Sequence, residues 1–141
     1  MPGEYGLAMH VWIKNNDGKY LIQKRSETKK VLPNFWSITG GGTDAGETTY
    51  DTLIRECKEE LNIDVNIDNV ELMLSLKREN DFLDVWLLKE DNIKLENLIL
   101  QEEEVSDVKW ATEYEIKEMI ANGIFSPNIE IYFDTFLKMQ S

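Results

Sequence analysis

Residues 40–63 read GGGTDAGETTYDTLIRECKEELNI, and the rest of the chain is best approached from this stretch. Its second half is amphipathic. Over residues 48–61 the apolar side chains Tyr50, Leu53, Ile54, Cys57 and Leu61 recur at helical spacing, and Thr48 with Asp51 supplies a capping box at the start. On a helical wheel the apolar set takes one face, while Glu56, Glu59 and Glu60 gather on another, within an arc of roughly 100°. Three carboxylates thus converge near the helix C-terminus, where the macrodipole is already negative, and Glu56 with Glu60 is a like-charge pair one turn apart. Each effect costs on the order of a few tenths of a kcal/mol. A solvated acidic face is one reading of this pattern, and a site for a hard divalent cation that takes oxygen ligands is the other.

The residues ahead of the helix bear on that choice. Residues 35–39 form a short aromatic and β-branched run that stops at Gly40, Gly41 and Gly42, where the backbone can turn tightly and bring carbonyls close to a ligand. Gly46 and Glu47 then lead straight into the helix. Gly41, Glu47, Arg55, Glu56, Glu59, Glu60 and Ile63 fall on one pattern: Gly, five residues, Glu, seven residues, Arg-Glu-apolar-any-Glu-Glu-any-Gly-apolar. This resembles the Nudix box. Two positions depart from it. Cys57 fills the apolar slot as a small buried hydrophobe, and Asn62 replaces the Gly that ends the helix, a position where Asn is the next most tolerant residue.

The resemblance implies a MutT-like pyrophosphohydrolase with the Nudix fold, a three-layer α/β/α sandwich around a mixed sheet. Proteins similar to this hold Mg²⁺ or Mn²⁺ against the pyrophosphate of a nucleoside diphosphate linked to another group X. Water then attacks phosphorus, with the cation polarising the phosphoryl oxygens. Carried over, Glu56, Glu59 and Glu60 are metal ligands, the Gly41 carbonyl adds another, Glu47 belongs with them, and Arg55 neutralises and orients the carboxylates. Glu56 and an acid outside the box both stand as the general base. The outside acid is Glu104, in the run Glu102-Glu103-Glu104 ahead of Trp110, an acidic triplet that as a whole also fits a merely solvated loop. Arg25, with Lys24 beside it, sits where family members often meet a phosphate.

Further out, residues 7–14 and 19–24 read as a hairpin about Asn15-Asn16-Asp17-Gly18, and residues 25–32 as a polar loop. Residues 70–78, 82–88 and 105–110 are three more strands. Thr112 with Glu115 caps a second helix that exits at Gly123. Ser126-Pro127 opens a last helix with Ile129, Tyr132, Phe133 and Phe136 on one face. Residues 10–26, HVWIKNNDGKYLIQKRS, together with Trp36, resemble the branch that includes isopentenyl-diphosphate isomerase. That isomerase uses a catalytic Cys after the equivalent Trp, where this chain has Ser37, Ile38 and Thr39. An isomerase and a non-catalytic nucleotide-binding module are therefore the alternatives, and the intact box acids favour a hydrolase. His10 is expected to be a strand residue with a satisfied ring. Trp86 and Phe82 are expected in the core or on a sheet face, where either could stack on a base.

Composition sets the outer limits. With 141 residues the chain is long enough for one domain, residues 1–141, with a hydrophobic core. Its net charge of −12 argues against a nucleic-acid duplex or an anionic membrane as partner, but not against a polyanion reached through a divalent cation. A single cysteine excludes an intrachain disulfide and a cysteine-based zinc site. No leader is read in MPGEYGLAMH and no apolar run approaches the ~20 residues that span a bilayer. The expected setting is cytoplasmic, with a small-molecule diphosphate as partner and a homodimer left open.

Overall fold

The computed structural model describes residues 6–140, so the part of the leader reading that falls on residues 1–5 lies outside them. β1 (Gly6–Lys14) and β2 (Tyr20–Arg25) form the expected hairpin. Asn15 closes its turn, accepting at Oδ1 from the amides of Asp17 and Lys19 at 3.0 Å each, and Gly18 takes a φ of +75° that a side chain would resist. Beyond Lys14 and Tyr20 the two strands part. β1 runs parallel to β6 (Asp81–Lys89) and antiparallel to β4 (Thr39–Gly42). β2 pairs antiparallel with β3 (Trp36–Ser37) and β7 (Val105–Ala111). β5 (Val70–Lys77) adds to β6 and completes a mixed sheet of seven strands.

Both faces of β1 are covered, so its alternate residues feed two cores. Met9, Val11 and Ile13 pack with Leu53, Cys57 and Leu61 of α1 (Thr49–Leu61). Trp12 faces the other way, toward Ile116 and Met119 of α2 (Glu113–Ala121) and Phe133 and Phe136 of α3 (Phe133–Lys138). Its indole stacks on Phe133 at 5.0 Å and meets Tyr20 edge-on at 5.3 Å. This is the expected α/β/α sandwich. No helix among the described residues is long and apolar enough to cross a membrane.

Three details differ from the sequence reading. The run at residues 35–39 is two strands, and the glycines continue the second instead of ending it, because β1 offers an edge for them to pair with. The last helix is broken: Pro127–Ile129 is a single 3₁₀ turn, and Tyr132, at φ −130°, starts α3 afresh. Tyr50 and Ile54 are only half-buried, with Tyr50 lying 5.9 Å from the Trp86 ring, while Thr49, Thr52 and Glu60 share the buried face of α1.

His10 is half-buried beside Tyr132, and its desolvation, with the charge of Arg78 adding to it, lowers its pKa from 6.5 to about 4. Between those values the unfolded chain binds the proton more readily, so His10 contributes stability that is lost as pH falls through this window. The loss amounts to about 3 kcal/mol by pH 4. Denaturant unfolding of wild type and His10→Phe across pH 4–7 should show this slope in the difference between the two proteins.

Candidate active site

α1 has both ends fixed. Thr48 Oγ1 accepts from the Asp51 amide at 3.1 Å and Asp51 Oδ2 accepts from the Thr48 amide at 3.0 Å, so the capping box is formed. At the other end Asn62 adopts the left-handed conformation, φ 59° and ψ 40°, and the amides of Asn62 and Ile63 return to the carbonyls of Lys58 and Cys57. The last carbonyls are taken by a distant loop: the amides of Gln101 and Ile99 donate to Glu60 O at 3.0 Å and Leu61 O at 3.3 Å. That junction carries Glu104 to the acidic end of the helix.

Opposite the helix lies β4. A Cβ on Gly41 would stand 3.0 Å from the Glu56 carboxyl carbon, so glycine allows the strand to lie directly against that carboxylate. Arg55 links the rest. Its Nε and Nη2 donate to Glu47 at 3.1 and 3.0 Å, its Nη1 donates to Glu56 at 2.7 Å, and Glu59 and Asp44 stand 3.6 Å away. The bidentate guanidinium draws the Glu47 carboxyl down to about 2 and is itself held protonated.

These elements enclose a cavity of about 300 Å³. Glu56, Glu59, Glu60 and Glu104 line it together with Gly40, Gly41, Ile38 and Arg25. Glu102 and Glu103 are exposed and do not reach it. Nor does Lys24, whose side chain leaves the opposite face of β2 from Gln23. Arg25 is engaged in shaping the loop that follows it, donating from Nε and Nη2 to the carbonyl of Val31 at 3.0 and 2.8 Å. Three lining residues lay outside the sequence reading, Gln23, Lys29 and Gln101, none of which belongs to a recognisable pattern. Lys29 forms an ion pair with Glu104.

The acids differ sharply in surroundings. Glu60 is 6% exposed and accepts one long hydrogen bond, 3.4 Å from Gln23 Nε2. Burial, with Glu56 adding repulsion, pushes its carboxyl up to about 8. Glu56 is also raised, by burial and then by Glu59 and Glu104 against the pull of Arg55. Cys57, on the core side of the same helix, is fully buried and its thiol is pushed up to about 12.

The carboxylates and the Gly41 carbonyl are hard oxygen donors, and an under-solvated Glu60 gains from a cation beside it, so the residues fit a divalent metal. Among the described residues no group of three or more His, Cys, Asp or Glu side chains is placed to hold a metal ion in this conformation. Arg55 and Lys29 hold Glu56 and Glu104 in ion pairs instead. A cation would draw these acids away from their present partners.

Comparison with known proteins decides the family. The NUDIX domain model matches residues 4–128. The chain belongs to the Nudix family. Its Nudix relatives include an uncharacterised Nudix hydrolase of Listeria innocua, 38% identical over 127 residues, which are 89% of this chain and 75% of that protein. An isopentenyl-diphosphate Δ-isomerase of Salmonella heidelberg is 30% identical over 74% of this chain and 61% of its own length. Among solved Nudix-like folds, a Deinococcus radiodurans protein superposes with a TM-score of 0.76 at 24% identity, covering 93% of this chain and 85% of that one. A C. elegans Ap4A hydrolase, solved as a binary complex, gives 0.64 at 22% identity, covering 93% and 98%. The chain is thus a Nudix pyrophosphohydrolase, of a family whose hydrolases generally use divalent metals.

Proposed function

We propose that this Nudix chain hydrolyses a nucleoside-diphosphate-linked substrate with Mg²⁺ or Mn²⁺, water attacking phosphorus. The observation that carries the reading is the convergence of Glu56, Glu59, Glu60 and Glu104 with Gly41 on one small cavity. These residues would hold the cation, which when bound supplies Lewis acidity toward the phosphoryl oxygens. Arg55 holds Glu47 and Glu56 in place. Glu56, whose carboxyl has a raised affinity for protons, takes the proton of the attacking water. Arg25, at the wall of the cavity, meets the substrate phosphate. The nucleotide half of the reading is supported by the structural likeness to the C. elegans Ap4A hydrolase.

The isomerase alternative is disfavoured by the thiol. The chain's single cysteine is sealed in the core and does not line the acidic cavity, and Ser37 follows Trp36 where a nucleophile would be needed. A panel of nucleoside triphosphates, nucleotide sugars, dinucleotides and isopentenyl diphosphate, assayed for phosphate release with each metal, tests the reading directly. Isomerisation without hydrolysis overturns it. Cation binding should also stabilise the fold by roughly 2.7 kcal/mol at 100 times the dissociation constant. A thermal melt unmoved by millimolar Mg²⁺ or Mn²⁺ would contradict the metal assignment.

A further inference from the structure

His10 is the chain's only histidine, and the hydrolytic reading gives it no task. Its ring lies at the junction of a buried polar chain and a second cavity, of about 580 Å³, which shares Arg25, Ile38, Gly40 and Gly41 with the acidic one. Trp12 Nε1, a donor only, gives its proton to Tyr132 Oη at 3.0 Å, and Tyr132 Oη stands 2.7 Å from His10 Nδ1. No other described residue hydrogen-bonds the Tyr132 hydroxyl, which burial keeps protonated. Its own proton is therefore satisfied only by donation to Nδ1, since the reverse arrangement would leave a buried hydroxyl proton without an acceptor. His10 is then the neutral tautomer with its proton on Nε2.

That Nε2–H donates to no described residue, and His10 lines the larger cavity. Gly40 keeps this edge of the ring open: a Cβ there would come within 2.9 Å of His10 Cδ2, the carbon bonded to Nε2. Around the same space, Arg78 is neutralised by a bidentate bond to Asp81 at 2.6 Å, and Asn80 and Asn128 add amides that both donate and accept. No Phe, Tyr or Trp is among the described lining residues, so these offer a nucleobase no stacking surface.

We propose that this cavity receives the group X of the diphosphate as a hydroxyl-rich, sugar-type unit, with His10 Nε2–H donating to one of its oxygens. Hydroxyls need partners of both kinds, and a wall of mixed donors and acceptors with its one close ion pair cancelled supplies them. The proposal rests on the hydrolase reading for placing the diphosphate in the adjoining acidic cavity.

Because there is one histidine, a long-range ¹H–¹⁵N spectrum of ¹⁵N-histidine-labelled protein reports on His10 without ambiguity. The free protein should show the Nε2–H tautomer. Ribose 5-phosphate or glucose 1-phosphate should shift that signal, whereas inorganic phosphate and adenine should not. An Nδ1–H tautomer, no response to either sugar phosphate, or an equal response to phosphate or adenine overturns the proposal. In turnover, His10→Phe should raise KM for nucleotide sugars by about tenfold with kcat within about twofold, the mark of lost binding remote from the reacting atoms. The titration needs no turnover and no variant. If the wild type hydrolyses no diphosphate, the hydrolase reading falls while the spectra still decide the cavity, so the two failures are distinguishable.

Discussion

Glu56→Gln and Glu60→Gln are each expected to lower hydrolysis by about 10²–10⁴-fold while leaving the fold intact, with Glu56 toward the upper end because on the proposed reading it is both proton acceptor and cation ligand. Gln keeps the shape and polarity of the side chain and removes only the charge. At Glu60 the separation of fold from function is especially clean, since burial already makes its carboxyl retain a proton up to about pH 8 in the cation-free protein. A neutral amide is close to what stands there before a cation arrives. In Glu56→Gln, relief of the like-charge contact with Glu59 favours the folded variant slightly. Phosphate release on the substrate found by the panel, with thermal melts of the same samples, measures both quantities. Near-wild-type turnover at saturating Mg²⁺ in both variants would reduce the acidic cleft to a solvated surface and end the enzymatic reading.

The same buried acid should make the metal-free protein lose stability as pH rises. Its carboxyl is raised from near 4.5 to about 8, so between those values the folded chain binds more protons than the unfolded one, and stability falls as pH increases through the window. The full effect is about 5 kcal/mol, since each tenfold gain in proton affinity on folding is worth about 1.4 kcal/mol. Below pH 6.5 the opposite slope from His10 offsets much of it, because that ring must gain a proton on unfolding. The range from pH 6.5 to 8 therefore isolates Glu60. Denaturant unfolding in chelator should show the decline in wild type and not in Glu60→Gln, and saturating cation should flatten it by stabilising the carboxylate. A wild type as stable at pH 8 as at pH 6.5 would contradict this assignment.

Periodicity made α1 legible, and cap chemistry located both its ends: Thr48 with Asp51, and Asn62 in place of glycine, are short-range devices that act within one turn. The acidic face was equally plain, because three of its members lie within five residues of one another. What the sequence concealed depends on contacts distant along the chain. Nothing local distinguishes Glu104 from Glu102 and Glu103; the choice is made by Gln101 bonding to the end of α1. Lys29 enters the cavity through a loop with no pattern at all, and Lys24 leaves it through the alternation of β2, a parity that its place beside Arg25 does not reveal. The glycines illustrate the same limit. Their freedom is evident in the sequence, but that Gly40 clears the ring of His10 and Gly41 the carboxylate of Glu56 follows only from the pairing of β4 with β1. The broken last helix has a comparable origin, with Tyr132 buried on Trp12 and His10 where a continuous helix was expected.

The parallel pairing of β1 with β6 joins residues as far apart in the chain as Gly6 and Asp81, and it has a consequence in time. Closing so long a loop is slow, whereas a capped helix such as α1 forms early from its own neighbours. The acids of that helix meet Gly41 and Glu104 only when strands and loop from both ends of the chain have docked. On the proposed reading, a cation held among them would find its full ligand set only once this late docking is complete. Interactions made that late leave the folding rate unchanged and slow unfolding. On the proposed reading, a bound cation should accordingly prolong the lifetime of the native protein without shortening the time taken to reach it.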